Sequence, residues 1–439
     1  MQFIYSITIT IIILAFSGVA TAQQQRFPQP EFQTEYQLPQ VSTPMPDALW
    51  HNYLDLAVLL VILSITSWLA ISRRSRRGIL WLTILSLLYF GFYRQGCICA
   101  VGSLQNIALS LFNPDYVLPL TALGLFMLPL LFALTFGRTF CATACPLGAI
   151  QDLVIVKHIP VPLWLRKTLG LFPFIYLGLA VLYAATATDL IICRYDPFVG
   201  IFRMSGEFHM ILLGVAFLLV GMFVGRPYCR FLCPYGGLLK ITSQFSKHHL
   251  SITPAGCINC KLCADSCPFD AIESPTKPMG LERTETNSRR VILLALLIPV
   301  LMAVGGWTLS QAHTTLASVN SDVHLAALLV NNPELAQTST SIDITSFMAS
   351  GQTIDQLVER AKGITHRFYI GSWVLGIFIG LTIGLMLLSQ ALPKRIHTDY
   401  RPNRGDCYSC GRCFKYCPVG KEMSDVTVDS GMPNGSPAK

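Results

Sequence analysis

Seven apolar stretches, separated by short polar segments, occupy most of the chain. Each holds roughly 17 to 24 residues, enough for a helix to cross a hydrocarbon core of about 30 Å. They cover residues 54–72, 78–95, 117–136, 170–189, 208–225, 291–310 and 368–391. The pattern predicts an all-α polytopic membrane protein with about seven transmembrane helices.

Basic residues beside the ends of these stretches indicate which way the helices run. The sequence SRRSRR at 72–77 follows the first stretch and is typical of the cytoplasmic side. Seven crossings place the following basic residues on that same side: Lys157, Arg166, Lys167, Arg226, Arg230, Lys240, Arg289, Arg290, Lys394 and Arg395. The chain is therefore predicted to lie in a bacterial inner membrane, with its N-terminus periplasmic and its C-terminus cytoplasmic.

The first 22 residues have an apolar centre and end in Ala20-Thr21-Ala22, an A-x-A cleavage pattern. They predict a signal peptide at 1–22. An uncleaved anchor is the alternative, because no Lys or Arg precedes the apolar centre. Residues 23–50 are rich in Pro and Gln, which predicts an extended periplasmic segment.

Composition and charge exclude two other classes of protein. The chain has 439 residues, of which 52% are hydrophobic and 13% charged, too apolar a balance for a soluble domain. A net charge of +8 would suit a nucleic-acid binder, but the basic residues flank helix ends. The lipid bilayer is the predicted partner, and no nucleic acid is.

Eight of the fifteen cysteines form two runs with one spacing. CINCKLCADSCP at 257–268 and CYSCGRCFKYCP at 407–418 both fit the bacterial ferredoxin pattern C-x2-C-x2-C-x3-C-P. Structural zinc, the alternative, usually uses two separated C-x-x-C pairs. The runs predict two 4Fe–4S clusters on Cys257, Cys260, Cys263, Cys267, Cys407, Cys410, Cys413 and Cys417.

In two-cluster ferredoxins the fourth cysteine of each run serves the other cluster. By that analogy Cys417 joins the first three cysteines of the 257–267 run, and Cys267 joins those of the 407–417 run. Two independent loops are the alternative. Two apolar stretches lie between the runs, yet both runs return to the cytoplasmic side, so a split two-cluster ferredoxin-like domain is predicted there.

Two further cysteine pairs form an internal repeat at helix ends. GRTFCATACPLGAIQD at 137–152 and GRPYCRFLCPYGGLLK at 225–240 align Gly-Arg with Gly-Arg and C-x3-C-P with C-x3-C-P. Buried cysteines that only fill space are one interpretation. Each copy supplies two thiols, however, and four thiolates complete one cube. We predict a third 4Fe–4S cluster on Cys141, Cys145, Cys229 and Cys233.

A degenerate third copy, GCICAVGSLQN at 96–106, aligns Cys99 with Cys145 and Gln105 with Gln151. Together with Cys193, its cysteines fall on the predicted periplasmic side. Three hypotheses concern Cys97, Cys99 and Cys193: a fourth cluster, another metal, or a disulfide with one free thiol. Asp196 or a partner's group would complete the fourth cluster.

The rest of the chain is divided by its apolar stretches. We assign 51–250 to a five-helix membrane core, and 251–290 and 393–423 to the two cytoplasmic ferredoxin halves. Transmembrane helices are assigned to 291–310 and 368–392, a periplasmic helical loop to 311–367 and a disordered tail to 424–439. Within the loop, SDVHLAALLVNNPELA and TIDQLVERAKGI predict two amphipathic helices. They either dock a periplasmic partner or cover the outer ends of the spans.

The paired C-x3-C-P motifs, followed by C-x2-C-x2-C-x3-C-P runs, resemble those of the membrane polyferredoxin family over roughly residues 45–420. This family includes the NosR/NirI-type proteins of nitrous oxide and nitrite respiration and the NapH-type quinol dehydrogenase subunits. The resemblance implies transmembrane electron transfer through cytoplasmic 4Fe–4S clusters to or from a periplasmic partner. NosR-type proteins also carry a large N-terminal periplasmic flavin domain. About 30 residues separate the predicted cleavage site from the first span here, so the redox partner, a flavin protein or a reductase, is expected to be a separate chain.

These patterns together predict a membrane-bound iron–sulfur protein. It would relay electrons between the cytoplasmic side or the quinone pool and a periplasmic redox partner, with quinone and a cytoplasmic ferredoxin as candidates for the other partner. The alternative is a redox-sensing or metal-centre assembly factor of a periplasmic respiratory reductase. No catalytic residue is assigned, since we expect an electron-transfer component and not a stand-alone enzyme.

Overall fold

The structure is a computed structural model that describes residues 49–96, 100–252, 257–276, 283–332, 334, 341–392, 397 and 399–418. The described part is almost entirely helical, as the apolar pattern predicted. The predicted signal peptide at 1–22, nearly all of the extended segment at 23–50 and the tail at 424–439 lie outside the described residues.

Helices of very different length make up the described chain. They are α1 (Leu49–Ile71), α2 (Arg76–Ser86), α3 (Ala100–Phe112), α4 (Leu120–Phe136), α5 (Pro146–Leu153), α6 (Leu163–Leu169), α7 (Phe172–Ala185), α8 (Ile191–Arg194), α9 (Val199–Phe202), α10 (Phe208–Gly221), α11 (Pro227–Phe231), α12 (Pro234–Gln244), α13 (Leu262–Asp265), α14 (Arg283–Gln311), α15 (His313–Ala317), α16 (Ser321–Asn331), α17 (Ile342–Ala349), α18 (Ile354–Ala391) and α19 (Arg412–Tyr416). Two π-helical segments, Leu87–Tyr93 and Phe140–Ala144, and two short strands, β1 (Ile272–Glu273) and β2 (Arg401–Pro402), complete the list.

Four helices in the described part are long and apolar enough to cross a membrane. They are Trp50–Ile71, Leu163–Ala185, Arg289–Gln311 and Ile354–Ala391, which overlap the first, fourth, sixth and seventh predicted spans. The third and fifth predicted spans correspond to the shorter apolar helices α4 and α10. The second predicted span, 78–95, contains two kinds of helix, because α2 passes directly into a π-helical segment at Leu87.

The last long helix differs from the prediction. α18 has 38 residues, roughly 57 Å at 1.5 Å per residue, and so exceeds a membrane core of about 30 Å. It begins at Ile354 and not at 368, because Thr353 and Gln356 form a capping box. The sequence TIDQLVERAKGI is therefore the first part of this helix rather than a separate amphipathic helix.

Close packing of glycines joins α14 to α18. A side chain at Gly376 would collide with the backbone of Gly305, and one at Gly380 would collide with the backbone of Leu301. Small residues of this kind let two helices approach closely in a membrane, where backbone contact and van der Waals packing hold them together. The two helices therefore form a hairpin that separates the two ferredoxin-type runs along the chain.

Both cysteine runs nevertheless lie side by side in space. Strands β1 and β2 pair antiparallel, with Ile272 opposite Pro402 and Glu273 opposite Arg401. Beyond the strands, the Asn403 amide donates to the Ala271 carbonyl at 2.7 Å. Chain segments some 130 residues apart are thus held together by backbone hydrogen bonds.

Candidate functional site

The first ferredoxin-type run lines a cavity together with one cysteine of the second run. Cys257, Cys260, Cys263 and Cys417 all face this cavity. This is the crossed set of four expected from the ferredoxin analogy. Cys260 is exposed and Cys257 is half-buried, so this cavity lies close to solvent.

The second run lines another small cavity, together with one cysteine of the first run. Cys267, Cys407, Cys410 and Cys413 face it. All four thiols are buried. Burial raises the pKa of Cys267 to about 11 and that of Cys407 to about 12. A bound metal would supply the positive charge that such thiols need to ionise.

Equivalent backbone turns shape both runs. Asn259 and Lys261 have φ values of 53° and 67°, and their counterparts Ser409 and Gly411 have 52° and 74°. The left-handed conformation is unfavourable for residues with a side chain, so its recurrence at matching positions shows that both loops are bent in the same way. Tight loops of this kind are what three thiolates around one cube require.

The four C-x3-C-P thiols lie in the buried core where the two repeats meet. Cys141, Cys145, Cys229 and Cys233 are each only 6 or 7% exposed. Pro146 and Pro234 directly follow the second cysteine of each pair and begin α5 and α12, because proline suits the first helical position.

Hydrogen-bond donors approach three of these sulfurs. Gln151 Nε2 donates to Cys229 Sγ at 3.3 Å, and the Gly236 amide donates to Cys233 Sγ at 3.3 Å. Arg138 Nη2 lies 3.9 Å from Cys141 Sγ. Donors to ligating sulfurs tune the potential of an iron–sulfur cluster, so the surroundings suit thiolates that bind one.

The arginine of each repeat donates a hydrogen bond to the backbone of the other repeat. Arg226 of the second copy donates to the Cys141 carbonyl of the first, and Arg138 of the first copy donates to the Gly236 carbonyl of the second at 3.3 Å. A Cβ atom at Gly148 would lie 3.2 Å from Arg226 Nη1, and one at Gly236 would lie 3.5 Å from Arg138 Nη2. The glycine of each copy therefore leaves room for the arginine of the other.

These two buried cations differ in their counter-charges. Arg226 is fully buried and lies 3.5 Å from a carboxylate oxygen of Asp152. Arg138 is 3% exposed, and no carboxylate among the described residues is within ion-pair distance of it. The carboxylate of Asp406 attracts Arg138 from beyond that distance. Burial of a cation without a counter-charge in contact is costly. An anionic group beside Cys141 would therefore stabilise Arg138 further, and a thiolate-bound cube is such a group.

Ion pairs attach the second run to both repeats at equivalent positions. Asp152 at the end of the first repeat contacts Arg412 at 3.2 Å and Arg76 at 2.8 Å. Lys240, which aligns with Asp152 in the second repeat, contacts Asp406 at 2.8 Å. Burial opposes ionisation of Asp152, but the surrounding arginines hold its pKa well below the usual range.

Asp270 attaches the first run in a similar way. Its carboxylate contacts His158 Nε2 and Arg230 Nη2, both at 3.0 Å, and its carbonyl accepts from Arg166 Nη1 at 2.9 Å. Burial raises its pKa, but the contacts with His158 and Arg230 outweigh burial and lower the value to about 2. Asp270 thus joins the first run to the segment after the first repeat and to α11 of the second repeat.

The Asp270 contacts predict a loss of stability in acid. Because the folded pKa of about 2 is below the ordinary value of 3.8, the stability from Asp270 is complete above pH 3.8 and is lost as the pH falls toward 2. We expect thermal unfolding of the metal-free chain in detergent to show this loss. An Asp270→Asn variant should be less stable at neutral pH and should lack the acid-dependent step; an unchanged pH profile would contradict the assignment.

On the other predicted face, Cys193 contacts the helix of the degenerate third repeat. A Cβ atom at Gly102 would lie 3.2 Å from Cys193 Sγ, and the Ile192 amide donates to Gln105 Oε1 at 3.0 Å. Gln151, which aligns with Gln105, accepts in the same way from the amide of Tyr228, the residue before Cys229. Cys97 and Cys99 lie outside the described residues.

Asp196 accepts a hydrogen bond from the backbone of its own turn. Its carboxylate oxygen accepts from the Phe198 amide at 2.8 Å, and the residue is 5% exposed. This contact stabilises the turn before α9. Within the described ranges, no three His, Cys, Asp or Glu side chains converge closely enough to hold a single metal ion.

Known proteins share these motifs. Residues 118–171 and 207–253, which contain both C-x3-C-P repeats, match a family described as "4Fe-4S binding domain", and residues 250–273 match another with the same description. NirI of Paracoccus denitrificans is 30% identical over 222 residues, which are 47% of this chain and 32% of NirI. NosR of Pseudomonas aeruginosa is 29% identical over 239 residues, or 49% of this chain and 33% of NosR. The chain is a ferredoxin-type membrane protein related to NosR and NirI.

Another relative of this NosR/NirI-related protein is YccM of Escherichia coli, 28% identical over 156 residues, 32% of this chain and 43% of YccM. The matches thus span less than half of each of these three relatives. No solved structure matches the chain. The relatives and the 4Fe–4S domains together support iron–sulfur electron transfer.

Sequence reasoning missed the polar residues around the thiols of this NosR/NirI-related chain. Arg226 was interpreted as a charge that orients a helix, whereas the structure buries it between the repeats. Arg138, Asp152 and Asp270 were given no role. The Gly-Arg pair that begins both repeats was the available signal, because a matched arginine beside matched cysteines is unusual for a residue that only sets orientation.

Proposed function

We propose that this protein relays electrons across the membrane through at least three 4Fe–4S clusters. Cys257, Cys260, Cys263 and Cys417 would hold the cluster nearest the cytoplasm. Cys407, Cys410, Cys413 and Cys267 would hold the second. The four C-x3-C-P cysteines would hold the third, which we call the boundary cluster. Each cluster supplies reversible one-electron chemistry, and the protein supplies burial, hydrogen bonds and charge.

The observation that carries the proposal is the position of Arg138. This buried arginine lies between the second cavity and the C-x3-C-P thiols, with Cys141 on one side and the Tyr408 ring, 4.0 Å away, on the other. Among the described residues no carboxylate contacts it, and Asp406 attracts it only from a longer distance. An anionic cluster beside Cys141 would supply the counter-charge in contact that this buried cation lacks.

The proposed topology has seven crossings, with the N-terminus periplasmic and the C-terminus cytoplasmic. Four long helices and the shorter apolar helices α4 and α10 support it, as does the continuous run of α2 with Leu87–Tyr93. Both cysteine runs then share the cytoplasmic face with the C-x3-C-P thiols, and Cys193 lies near the periplasmic face. A separate periplasmic redox protein would exchange electrons there.

Reconstitution tests this function directly. The chain is placed in proteoliposomes that enclose oxidised cytochrome c, and dithionite is added outside. We expect reduction of the enclosed cytochrome only when the chain is present. Loaded clusters without any chain-dependent reduction would contradict a transmembrane relay and would favour the second function, a redox-sensing or assembly role. The name of the relative NosR, "regulatory protein", is the observation that keeps this second function under test.

A fourth cluster on Cys97, Cys99 and Cys193 would complete the path to the periplasm. Its support is the shared arrangement of Gln105 with Ile192 and of Gln151 with Tyr228. We expect about 16 irons per anaerobically purified chain, falling to about 12 in a Cys97→Ser/Cys99→Ser variant. An Asp196→Asn variant should keep all its iron, because that carboxylate caps a turn. About 12 irons in every sample would exclude the fourth cluster.

A further inference from the structure

One residue of the second run is turned toward the repeats. Tyr408 lies directly after Cys407 and is 2% exposed. The equivalent residue of the first run, Ile258, is 64% exposed. Two loops of the same spacing and the same backbone turns thus place this position in opposite surroundings, one at the protein surface and one in the core.

Tyr408 contacts a cysteine of the boundary set. Its hydroxyl donates to the Cys229 carbonyl at 3.4 Å, and its ring lies 4.0 Å from the guanidinium carbon of Arg138. Phe269 packs against the other part of the ring, with the ring centroids 4.6 Å apart. The ring is therefore fixed on several sides and has little freedom to turn away.

These contacts form an almost continuous route between two sets of thiols. From Cys407 Sγ the route follows covalent bonds through the backbone to the phenol of Tyr408. It crosses one hydrogen bond to the Cys229 carbonyl and follows covalent bonds to Cys229 Sγ. Electronic coupling falls less steeply through bonds and hydrogen bonds than through empty space, so such a route favours electron tunnelling.

We propose that Tyr408 is the electronic contact between the second ferredoxin-type cluster and the boundary cluster. The inference rests on the proposed function, because it requires both clusters. One electron passes between the ligand sets that Tyr408 joins, so that one iron(II) is oxidised and one iron(III) is reduced. No bond forms or breaks, the phenol keeps its proton, and the ring itself is neither oxidised nor reduced.

The contact of Tyr408 with Cys229 also indicates the order in which the three clusters lie along the path. The set with Cys260 is the solvent-facing one, since Cys260 is exposed and Ile258 beside it projects from the surface. The set with Cys407 is buried and touches the repeats through Tyr408. The three sets therefore follow one another along the path in the order Cys260 set, Cys407 set and boundary set, whichever way the electrons run.

Substitution of Tyr408 tests the inference on the full chain in detergent. Tyr408→Phe removes the hydroxyl and keeps the ring, whereas Tyr408→Leu removes both. Tyr183→Phe is the matched control, because Tyr183 is also buried and its hydroxyl also donates to a backbone carbonyl, that of Leu316, away from all the cysteine sets. Iron content, midpoint potentials and the magnetic interaction between reduced clusters are measured by EPR. The rate of electron arrival at the boundary cluster is measured after flash photoreduction.

We expect Tyr408→Phe to retain its iron and to slow electron arrival roughly tenfold, the smaller of the losses typical when an outer-shell partner is removed. Tyr408→Leu should be slower still and should show a weaker magnetic interaction, while Tyr183→Phe behaves as wild type. Wild-type rates in both Tyr408 variants with full iron would overturn the inference alone. A slowed Tyr408→Leu beside an unchanged Tyr408→Phe would overturn the hydrogen-bonded route. Absence of the boundary cluster from the wild-type chain would overturn the proposed function and this inference with it.

Discussion

Replacing Cys229 with serine is expected to remove about four irons per chain and to stop electron transfer through proteoliposomes. The reason is that Cys229 lies at the junction of the two repeats, where Gln151 of the first repeat donates to its sulfur. The other three C-x3-C-P thiols are buried as well, so the loss of one leaves the cube with three thiolates at that site. The two ferredoxin-type clusters should keep their EPR signals.

The decisive comparison is between single and double variants. If the repeats share one cluster, each of the three variants (Cys141→Ser, Cys229→Ser and the double variant) loses about four irons. If each repeat held its own metal, the losses of the two single variants would add. Thr143→Ser is the matched control, because Thr143 is buried in the same turn between Cys141 and Cys145 and keeps its hydroxyl. Additive losses, or iron loss in the control, would contradict a shared cluster.

Replacing Asp152 with asparagine is expected to lower the free energy of unfolding by about 3 to 5 kcal/mol, the usual effect of breaking a buried ion pair. Asp152 is the carboxylate within ion-pair distance of the fully buried Arg226, and it also contacts Arg76 and Arg412. Removal of its charge leaves Arg226 buried without that counter-charge. It also loosens the attachment of α19, which carries Arg412.

Denaturation in detergent and hydrogen exchange measure these two effects separately. Amide exchange at 407–417 should become faster in Asp152→Asn. The matched control is Asp189→Asn, because Asp189 pairs with Arg194, whose side chain is 65% exposed. Exposed pairs contribute at most about 1 kcal/mol, so this variant should be nearly as stable as wild type. Equal effects of the two substitutions on the free energy of unfolding would contradict the role of Asp152 as the counter-charge of Arg226.

The sequence allows two groupings of the eight ferredoxin-type cysteines, and the analogy with two-cluster ferredoxins favours the crossed one. The spacing of each run specifies a loop with three thiols, and the bacterial ferredoxin pattern assigns the fourth to the other run. The structure brings the same sets of four to two cavities. Their binding of clusters stays a prediction that the iron measurements test.

Charged residues were harder to predict, because a sequence gives the position of a charge along the chain but not its partner. Arg226 follows an apolar stretch, as an orienting residue would, yet its guanidinium turns inward from a left-handed backbone with φ of 49°. Asp152 and Arg412 are 260 residues apart and meet only after the second run has docked. The start of α18 was missed for a different reason, since the apolar stretch marks the membrane and the capping box at Thr353 marks the helix.

The hairpin of α14 and α18 has a consequence for biogenesis. During synthesis the ribosome releases Cys257, Cys260, Cys263 and Cys267 well before it reaches Cys407. A nascent chain that ends before β2 offers three cysteines to one cavity and a single cysteine to the other. If these sets hold the proposed clusters, stable loading of either ferredoxin-type cluster would have to wait until both helices of the hairpin are inserted and β2 has paired with β1. Truncated or misinserted chains would then lack these two clusters, whereas the cysteines of the boundary cluster are all synthesised before the hairpin.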